Sequence, residues 1–331
     1  FRSVAFELMH KVLDEVWSEA FRVLKPGAVA CINMGDATRT LNGRFSLYTN
    51  HSRVQFEMQK LGFSSLPSIL WRKQTNAPNK FMGSGMLPPG AYVTLEHEYI
   101  LVFRKGNKKS FETQAEKRLR RESAYFWEER NMWFSDVWTD LKGTGQNMAE
   151  KEARKRSGAF PFELAYRLVN MFSVKKDLVL DPFLGVGTTM FAAMASARNS
   201  VGFEIDSGLE KTIGSKIPEL VSLAEARTRE RLMKHVDFME ERFLRKGKFK
   251  HRNIHYGFPV VTAQEKEIVF SPPASVEKIA ENRFQVLHRV RPANEFVSEW
   301  NDCFESIPDA GKPRKPDKIL KIPRQAGLFE D

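Results

Sequence analysis

Apolar positions in the first part of the chain follow either a helical period or the pattern of a buried strand. Residues 6–24 carry apolar side chains at helical spacing, and Lys25-Pro26-Gly27 ends this predicted helix because glycine and proline do not continue it. The continuous apolar run at 28–35 predicts a buried strand of the kind that parallel sheets contain. A second helix is predicted at 51–61 and another strand at 66–71, an order typical of an open α/β sheet. The predicted apolar stripe of the first helix is Met9, Val12, Leu13, Val16, Trp17, Ala20, Phe21 and Leu24.

This pattern breaks between residues 72 and 158 and returns after Phe160. There the sequence contains a long loop rich in Gly, Pro and Asn, a predicted strand, and a basic segment with eight Lys or Arg against two Glu; these lie at 75–92, 97–103 and 104–121. The returning pattern predicts a helix at 162–172, strands at 177–181 and 200–206, and a long charged helix at 217–246. The basic, Pro-rich end of the chain is predicted to be irregular.

The segment VLDPFLGVGTT (179–189) is the strongest candidate for a ligand site. A predicted strand ends at Asp181, the chain turns through Gly185 and Gly187, and a helix starts directly afterwards. Glycines let the backbone approach a ligand closely, and a helix N-terminus offers unpaired N–H groups to a carboxylate or phosphate. Glu204 ends the next predicted strand, about where Rossmann-like folds place the acid that binds ribose hydroxyls. The turn lacks the sequence G-x-x-x-x-G-K-[ST], which excludes a P-loop for nucleoside triphosphates. Its glycine spacing is not G-x-G-x-x-G, which disfavours a dinucleotide-binding site.

Composition and charge narrow the class of protein. The net charge of +11, from 52 Lys and Arg against 41 Asp and Glu, fits either a nucleic-acid partner or an ordinary basic surface. Cys31 and Cys303 match no zinc motif, and the seven His residues include no metal-binding pair, so no protein-built metal site is expected. No apolar run reaches about 18 residues, so no membrane span is predicted. The low cysteine count favours a reducing, cytoplasmic location.

The motif DPFLGVGTT with the later VGFEID resembles motif I and the following acidic strand of the S-adenosylmethionine-dependent DNA amino-methyltransferases. The resemblance is to the permuted β-type family that methylates cytosine N4 or adenine N6. The permuted order requires the catalytic half to precede the motif, and two segments typical of that half do so here: FRVLKPGAVACINMGD and ILWRK. Such enzymes also contain segments similar to HEYILVFRKG and DVW. The resemblance covers residues 6–210. It implies an α/β fold with a Rossmann-like methyltransferase sheet flanked by helices, an inserted target-recognition region and a C-terminal extension.

The same resemblance implies four parts. They are the catalytic half (1–72), the target-recognition region (73–158), the S-adenosylmethionine-binding half (159–215) and a helical, basic C-terminal extension (216–331).

The resemblance also implies which residues bind S-adenosylmethionine. The glycine turn would surround the methionine end, the threonines after it would bind the carboxylate, and Glu204 would hold the ribose. Phe160-Pro161 resembles the segment that closes over the cofactor, with Ser157-Gly158 in place of the usual His-Pro pair. Phe160 and Phe183 have the alternative of being simple core residues. The implied set is Asp181, Pro182, Phe183, Gly185, Gly187, Thr188, Thr189, Glu204, Phe160 and Pro161.

Exocyclic amines are poor nucleophiles, and this family activates them with a Ser/Asp/Asn-Pro-Pro-Tyr/Phe loop that accepts the amine hydrogens and stacks on the flipped base. In the permuted order this loop precedes the first helix, so we expect the catalytic tetrapeptide before Phe1. Ser271-Pro272-Pro273 resembles it superficially, but Ala274 follows where the stacking ring belongs.

Two further residues have two interpretations each. Asp36, after the first predicted strand, either contacts the target base or caps the next segment. Trp71 either belongs to the core or lines the base pocket. Neither Cys31 nor Cys303 lies in the Pro-Cys context that cytosine C5 methylation needs, which disfavours that reaction.

Residues 72–158 lie where the family keeps its target-recognition region. Their basic side chains would neutralise phosphates in a salt-dependent manner, and their polar loop side chains would reach base edges. Charged runs can equally be solvated surface. The predicted DNA contacts are Lys73, Asn76, Asn79, Lys80, Arg104, Lys105, Lys108, Lys109, Lys117, Arg118, Arg120 and Arg121.

The sequence therefore predicts a DNA methyltransferase that moves a methyl group from S-adenosylmethionine to an exocyclic amine of a flipped base in double-stranded DNA, with cytosine N4 favoured over adenine N6. Two alternatives stay open: an RNA methyltransferase of the same fold, and a DNA- and cofactor-binding subunit of a split methyltransferase that is inactive alone. The resemblance leaves open a restriction endonuclease counterpart and a homodimer.

Overall fold

The computed structural model describes residues 2–41, 43–73, 88–90, 92–141, 160–289, 300 and 303–304. Its α-helices are α1 (Arg2–Val23), α2 (Asn50–Lys60), α3 (Gln114–Glu122), α4 (Trp127–Trp133), α5 (Phe162–Phe172), α6 (Thr188–Ala195), α7 (Leu209–Lys216) and α8 (Leu220–Lys246). Its strands are β1 (Val29–Met34), β2 (Ala37–Leu41), β3 (Arg44–Tyr48), β4 (Phe63–Arg72), β5 (His97–Lys105), β6 (Val137–Trp138), β7 (Leu178–Asp181), β8 (Asn199–Gly202), β9 (His251–Arg252), β10 (Pro259–Val260), β11 (Pro273–Ala280) and β12 (Arg283–His288).

The main sheet has the strand order β1-β5-β4-β6. The predicted strand at 28–35 is present, but its expected parallel pairing is wrong, because β1 pairs antiparallel with β5. β5 also pairs antiparallel with β4, whereas β4 and β6 run parallel. β5 lies within residues 73–158, which the sequence analysis assigned to the target-recognition region. Part of that region therefore forms a central strand of the main sheet. β7 and β8 form a separate parallel pair. The predicted α/β fold class is confirmed.

Helices α1 and α2 cover one face of the main sheet. Trp17 of α1 and Met58 of α2 are buried with Phe103 of β5 in one apolar cluster. The predicted stripe of α1 is wrong at two positions, because Met9 and Val12 are 46% and 66% exposed. The contacts that α1 makes with this cluster come from its second half.

Helix α5 covers the other face of the sheet. Trp71 of β4 is fully buried there, and its indole Nε1 donates a hydrogen bond to the carbonyl oxygen of Leu141 at 2.9 Å. Trp138 of β6 and Leu164 of α5 complete this cluster. Of the two interpretations of Trp71, the structure supports the core residue.

The C-terminal extension contains more regular structure than the sequence predicts. The long charged helix is present as α8, and residues 251–288, for which the sequence predicted no helix or strand, form two strand pairs. The β11–β12 hairpin packs Val276, Phe284 and Val286 against the apolar cluster formed mainly by α5, α6 and α7. The basic end at 305–331 lies outside the described residues.

Arg231 of α8 attaches this extension to the rest of the fold. Its guanidinium is 3% exposed and forms a two-point ion pair with Glu129 of α4, at 2.5 and 2.7 Å. The same guanidinium donates to the Tyr166 hydroxyl and lies 4.4 Å from the Phe270 ring centroid. Burial acts to lower the pKa of Arg231, but the Glu129 carboxylate and Tyr166 together outweigh burial and raise that pKa.

Within the described residues, no helix is long and apolar enough to span a membrane. The same residues contain no group of three or more His, Cys, Asp or Glu side chains placed to hold a metal ion.

We predict that Glu129→Gln lowers the free energy of unfolding by about 3–5 kcal/mol, because it leaves the Arg231 charge buried without a carboxylate. The matched control is Glu241→Gln, which breaks the exposed Arg245–Glu241 pair at 2.7 Å and should cost less than about 1 kcal/mol. Urea denaturation of both variants at neutral pH measures the difference. Equal losses in the two variants would contradict the assigned role of the buried pair.

Candidate functional site

The glycine turn after β7 is held in place by backbone groups. The backbone N–H of Phe183 donates to Asp181 Oδ1 at 3.0 Å, and the N–H of Leu184 donates to the carbonyl of Phe203 at 2.8 Å. The N–H of Phe203 in turn donates to the carbonyl of Asp181 at 2.9 Å. These bonds join the turn to the chain that follows β8, so the two predicted parts of the site lie side by side.

Glu204 links the two parts directly. Its Oε2 accepts the N–H of Gly185 at 2.8 Å, and its Oε1 accepts the N–H of Asp206 at 2.9 Å. The prediction that Glu204 ends a strand is wrong by two residues, because β8 ends at Gly202 and the chain then turns to meet the glycine loop. A carboxylate has about four acceptor positions, so Glu204 keeps lone pairs for a ligand hydroxyl.

Helix α6 starts at this turn without a side-chain cap. Its N-cap residue, Gly187, has a positive φ of 83°, and no side chain caps this end among the described residues. A Cβ at Gly187 would lie 3.3 Å from side-chain atoms of Met190 and Phe191. The first helical residues, Thr188 and Thr189, therefore present backbone N–H groups at the positive end of the helix dipole, which suits a carboxylate.

Gly202 is a further requirement of the turn that sequence reasoning did not single out. A Cβ there would lie 2.5 Å from Cδ1 of Leu184, so any larger residue would require the Leu184 side chain to move away from β8. The order Gly202-Phe203-Glu204 can be read from the sequence. The contact with Leu184 that favours glycine at position 202 is seen only in the tertiary structure.

The aromatic residues predicted at the site differ in burial. Pro161 is buried as the N-cap of α5, and Phe160 packs against the apolar cluster that also contacts Leu184. Phe183 is 51% exposed, and its ring centroid lies 5.8 Å from that of Trp17 in α1. Phe160 therefore has a core contact, whereas half of the Phe183 surface remains open to a ligand.

Two large apolar residues beside Glu204 were missed by the sequence reasoning. Phe203 is 61% exposed and Ile205 is fully exposed. Exposed apolar side chains on both sides of an acid are unusual for solvated surface and offer a face for a flat ring. The signal in the sequence was the alternation Phe-Glu-Ile after β8.

Asp36 lies at the end of β1 and contacts the start of α2. Its Oδ1 accepts the backbone N–H of His51 at 3.1 Å, and its Oδ2 lies 2.7 Å from Nδ1 of the same residue. The His51 ring stacks on Tyr99, with centroids 3.9 Å apart. Desolvation and the nearby Asp36 carboxylate raise the pKa of Tyr99. Of the two interpretations of Asp36, these contacts favour capping, since only 5% of its side chain is exposed.

Comparison with known proteins identifies the family. Residues 3–214 match a family described as DNA methylase, which is more than half of the chain. The Type II methyltransferase M.MthZI of Methanothermobacter thermautotrophicus is 50% identical over 298 residues, which cover 90% of this chain and 82% of the relative. The chain belongs to the N4/N6 DNA amino-methyltransferases. A second relative, the Type II methyltransferase M.MjaI of Methanocaldococcus jannaschii, is 50% identical over 64% of this chain and 68% of its own length.

The fold of this methyltransferase is also that of a solved relative. TTHA0409 of Thermus thermophilus, solved in complex with S-adenosyl-L-methionine, superposes with a TM-score of 0.54 at 34% identity and covers 66% of this chain and 79% of its own. S-adenosylmethionine is the cofactor of the family. The uncapped α6, the Glu204 carboxylate and the open space at Gly185, where only one atom lies within 4 Å of an added Cβ, fit that molecule.

Several residues predicted to touch DNA already have partners inside the methyltransferase. The ion pairs are Lys73–Glu98 at 2.8 Å and Lys109–Asp177, Arg118–Glu122 and Arg121–Glu267 at 2.7 Å each. Arg104 donates to the Gly106 carbonyl at 3.3 Å, and Arg120 lies 4.9 Å from the Phe111 ring centroid. Lys108 is exposed. The predicted contacts Asn76, Asn79 and Lys80 lie outside the described residues.

Lys105 has a structural role that the sequence did not indicate. Its ammonium donates to the Leu24 carbonyl at 2.8 Å and to the Phe21 carbonyl, and it lies 4.5 Å from the Phe21 ring centroid. These are carbonyls at the C-terminal end of α1, where a cation offsets the helix dipole.

Neither cysteine forms a disulfide bond within the described residues. Burial raises the pKa of the Cys31 thiol to about 12, so this residue is protonated at neutral pH and is no nucleophile. This property agrees with the exclusion of cytosine C5 chemistry for Cys31.

We predict that Lys105→Met lowers the free energy of unfolding by about 1–2 kcal/mol, because the carbonyls ending α1 lose a charged donor. Lys108→Met is the matched control, since this exposed lysine lies three residues away and should change stability by less than about 0.5 kcal/mol. Thermal unfolding of both variants tests the assignment. Equal unfolding temperatures for the two variants would contradict the assignment and show that Lys105 contributes no more to stability than an exposed lysine.

Proposed function

We propose that the chain methylates an exocyclic amine of a flipped base in double-stranded DNA as a Type II modification enzyme, with cytosine N4 favoured over adenine N6. The observation that carries the proposal is the assembly of the glycine turn, the uncapped α6 and Glu204 at one edge of the fold. The type of enzyme follows the names of the two relatives. The preference for cytosine rests on the resemblance to enzymes with Ser-Pro-Pro-Tyr loops.

Each residue of the turn has a proposed part in binding S-adenosylmethionine, which supplies the methyl group when bound. Thr188 and Thr189 would bind the carboxylate through the N-terminal N–H groups of α6. Glu204 would accept the ribose hydroxyls while it holds the turn. Phe203 and Ile205 would cover the adenine ring with their exposed apolar surface. The remaining proposed cofactor residues are Asp181, Pro182, Phe183, Gly185, Gly187, Phe160 and Pro161.

The base-activating step is proposed to need the Ser/Asp/Asn-Pro-Pro-Tyr/Phe tetrapeptide before Phe1. β1 pairs with β5 on one side only, and no other described strand pairs with it. An unpaired edge accepts a further strand, so a strand that carries the tetrapeptide could add there. The carboxyl end of β1, with Asp36 and His51, would then lie next to the activated amine.

The DNA-binding surface is proposed to include α3 and the segments that flank it. Arg120, Lys108 and Lys117 are exposed on this part of the chain. The basic side chains that already form ion pairs would contribute to the electrostatic potential at this surface. Salt would weaken the binding of DNA to the surface as a whole.

We predict that the chain binds S-adenosylmethionine and that Gly185→Asp weakens this binding at least tenfold. The aspartate would place a side chain and a negative charge in the open space facing Glu204. Gly43→Asp is the matched control, because Gly43 also has a positive φ and open space but lies on the β2–β3 hairpin. Isothermal titration measures all three proteins. Absence of binding by the unmutated chain, or equal affinities for the two variants, would contradict the proposed site.

We predict that the chain, extended at its N-terminus by a segment that carries the tetrapeptide, forms N4-methylcytosine in duplex DNA and no C5-methylcytosine. Nucleoside mass spectrometry after incubation with DNA and S-adenosylmethionine identifies the product, and RNA serves as the competing substrate. N6-methyladenine as product would overturn the base preference but not the reaction class. Activity restored by adding the segment as a separate polypeptide would favour the split-subunit alternative.

A further inference from the structure

A small cavity lies where the cofactor half meets the C-terminal extension. Asn170 of α5 and Ser196 after α6 form one side, and Arg231 of α8 and Ser271 form the other. The space open to a water-sized sphere is about 20 Å³. One water needs about 10–15 Å³ on this measure, so the cavity accommodates a single small species and excludes the five heavy atoms of phosphate or sulfate.

Three buried cations line this cavity. Lys175, Arg198 and Arg231 are 9%, 5% and 3% exposed. Arg231 has its carboxylate partner in Glu129. Among the described residues, neither Lys175 nor Arg198 has a carboxylate within salt-bridge distance.

The hydrogen bonds of the two unpaired cations go to neutral oxygens. Arg198 donates to the carbonyls of Ser173 and Ser196 at 2.7 and 2.5 Å, and these carbonyls end α5 and α6. The partial negative charge of two helix ends therefore offsets part of the Arg198 charge. Lys175 donates to the Val269 carbonyl at 2.6 Å and lies 3.3 Å from the Ser271 hydroxyl.

The charges around the cavity do not balance. Glu129 pairs with Arg231, while Glu122, the one carboxylate among the described residues that line the cavity, pairs with the exposed Arg118. Asp177, which attracts Arg198 from outside the lining, pairs with Lys109. The cations among these lining residues therefore outnumber the carboxylates. Burial lowers the pKa of Lys175 to about 8; Glu122 acts against this shift, whereas repulsion from Arg198 and Arg231 adds to it. A buried charge of this kind is costly without a counter-ion.

We propose that the cavity binds one halide ion, chloride under ordinary conditions, between the Lys175 ammonium and the Arg198 guanidinium. A monovalent anion of this size fits the space and would lie between two buried cations that form no ion pair among the described residues. Because Lys175 and Arg198 belong to the cofactor half and Ser271 and Arg231 to the extension, the ion joins the two parts. This inference is independent of the proposed DNA chemistry and of the glycine turn.

The test is thermal unfolding of the full chain in sodium chloride, sodium bromide or sodium gluconate at constant ionic strength. Gluconate is too large for the cavity. We expect the unfolding temperature to rise with chloride or bromide and to saturate, as binding to the native state alone requires. Identical unfolding temperatures in all three salts would mean that the cavity holds water only, and would overturn the proposal.

Two variants separate the site from general salt effects. Lys175→Met should abolish the difference between halide and gluconate, whereas Lys176→Met, which removes the neighbouring exposed lysine, should retain it. If Lys175→Met does not fold, crystals of the unmutated chain grown in bromide decide the question by anomalous diffraction. A bromine peak in the cavity supports the proposal, and an empty or water-filled cavity at high bromide overturns it.

Discussion

The buried ion pair between Arg231 and Glu129 is the contact on which the arrangement of the extension depends. Arg231 can form this contact inside the protein because its planar guanidinium donates to both oxygens of a carboxylate and also packs against aromatic rings. Glu129 also accepts the backbone N–H of Phe126 at 3.0 Å, so the same carboxylate fixes the start of α4. The pair thereby holds α8 against α4 and α5. The β11–β12 hairpin then reaches the apolar cluster formed mainly by α5, α6 and α7.

The ligand site depends on backbone groups more than on side chains. Gly187 is favoured by its positive φ and Gly202 by its close contact with the Leu184 side chain, and Glu204 fixes the turn by accepting two backbone N–H groups. An acid that holds the turn and keeps lone pairs for a ligand couples the shape of the site to its chemistry. The exposed Phe203 and Ile205 lie on both sides of this acid, and we propose that they cover the flat base of the cofactor.

The basic side chains of the chain fall into two groups, those with contacts inside the fold and those exposed to solvent. Lys105, Lys109 and Arg121 make contacts within the fold, so the count of 52 Lys and Arg overstates how many basic side chains are available to DNA. Exposed residues such as Lys108 and Arg120 remain for a polyanion. A count of basic residues cannot separate these uses, because an ion pair depends on which acidic side chain the fold brings within reach.

The sequence by itself determined the helices α1, α2, α5, α6 and α8 and the strands β1, β4, β5, β7 and β8, since their apolar periods and glycine stops are local. It also determined the glycine turn and its family, because a strand, a Gly-rich turn, a helix and a later acid stand in fixed order along the chain. The tertiary structure alone decided the antiparallel pairing of β1, the capping contacts of Asp36, the burial of Trp71 and the strands of residues 251–288. Each of these depends on partners far away in sequence, such as β5 for β1 and Leu141 for Trp71. Local patterns predict what a segment can form, whereas its neighbours in space decide what it contacts.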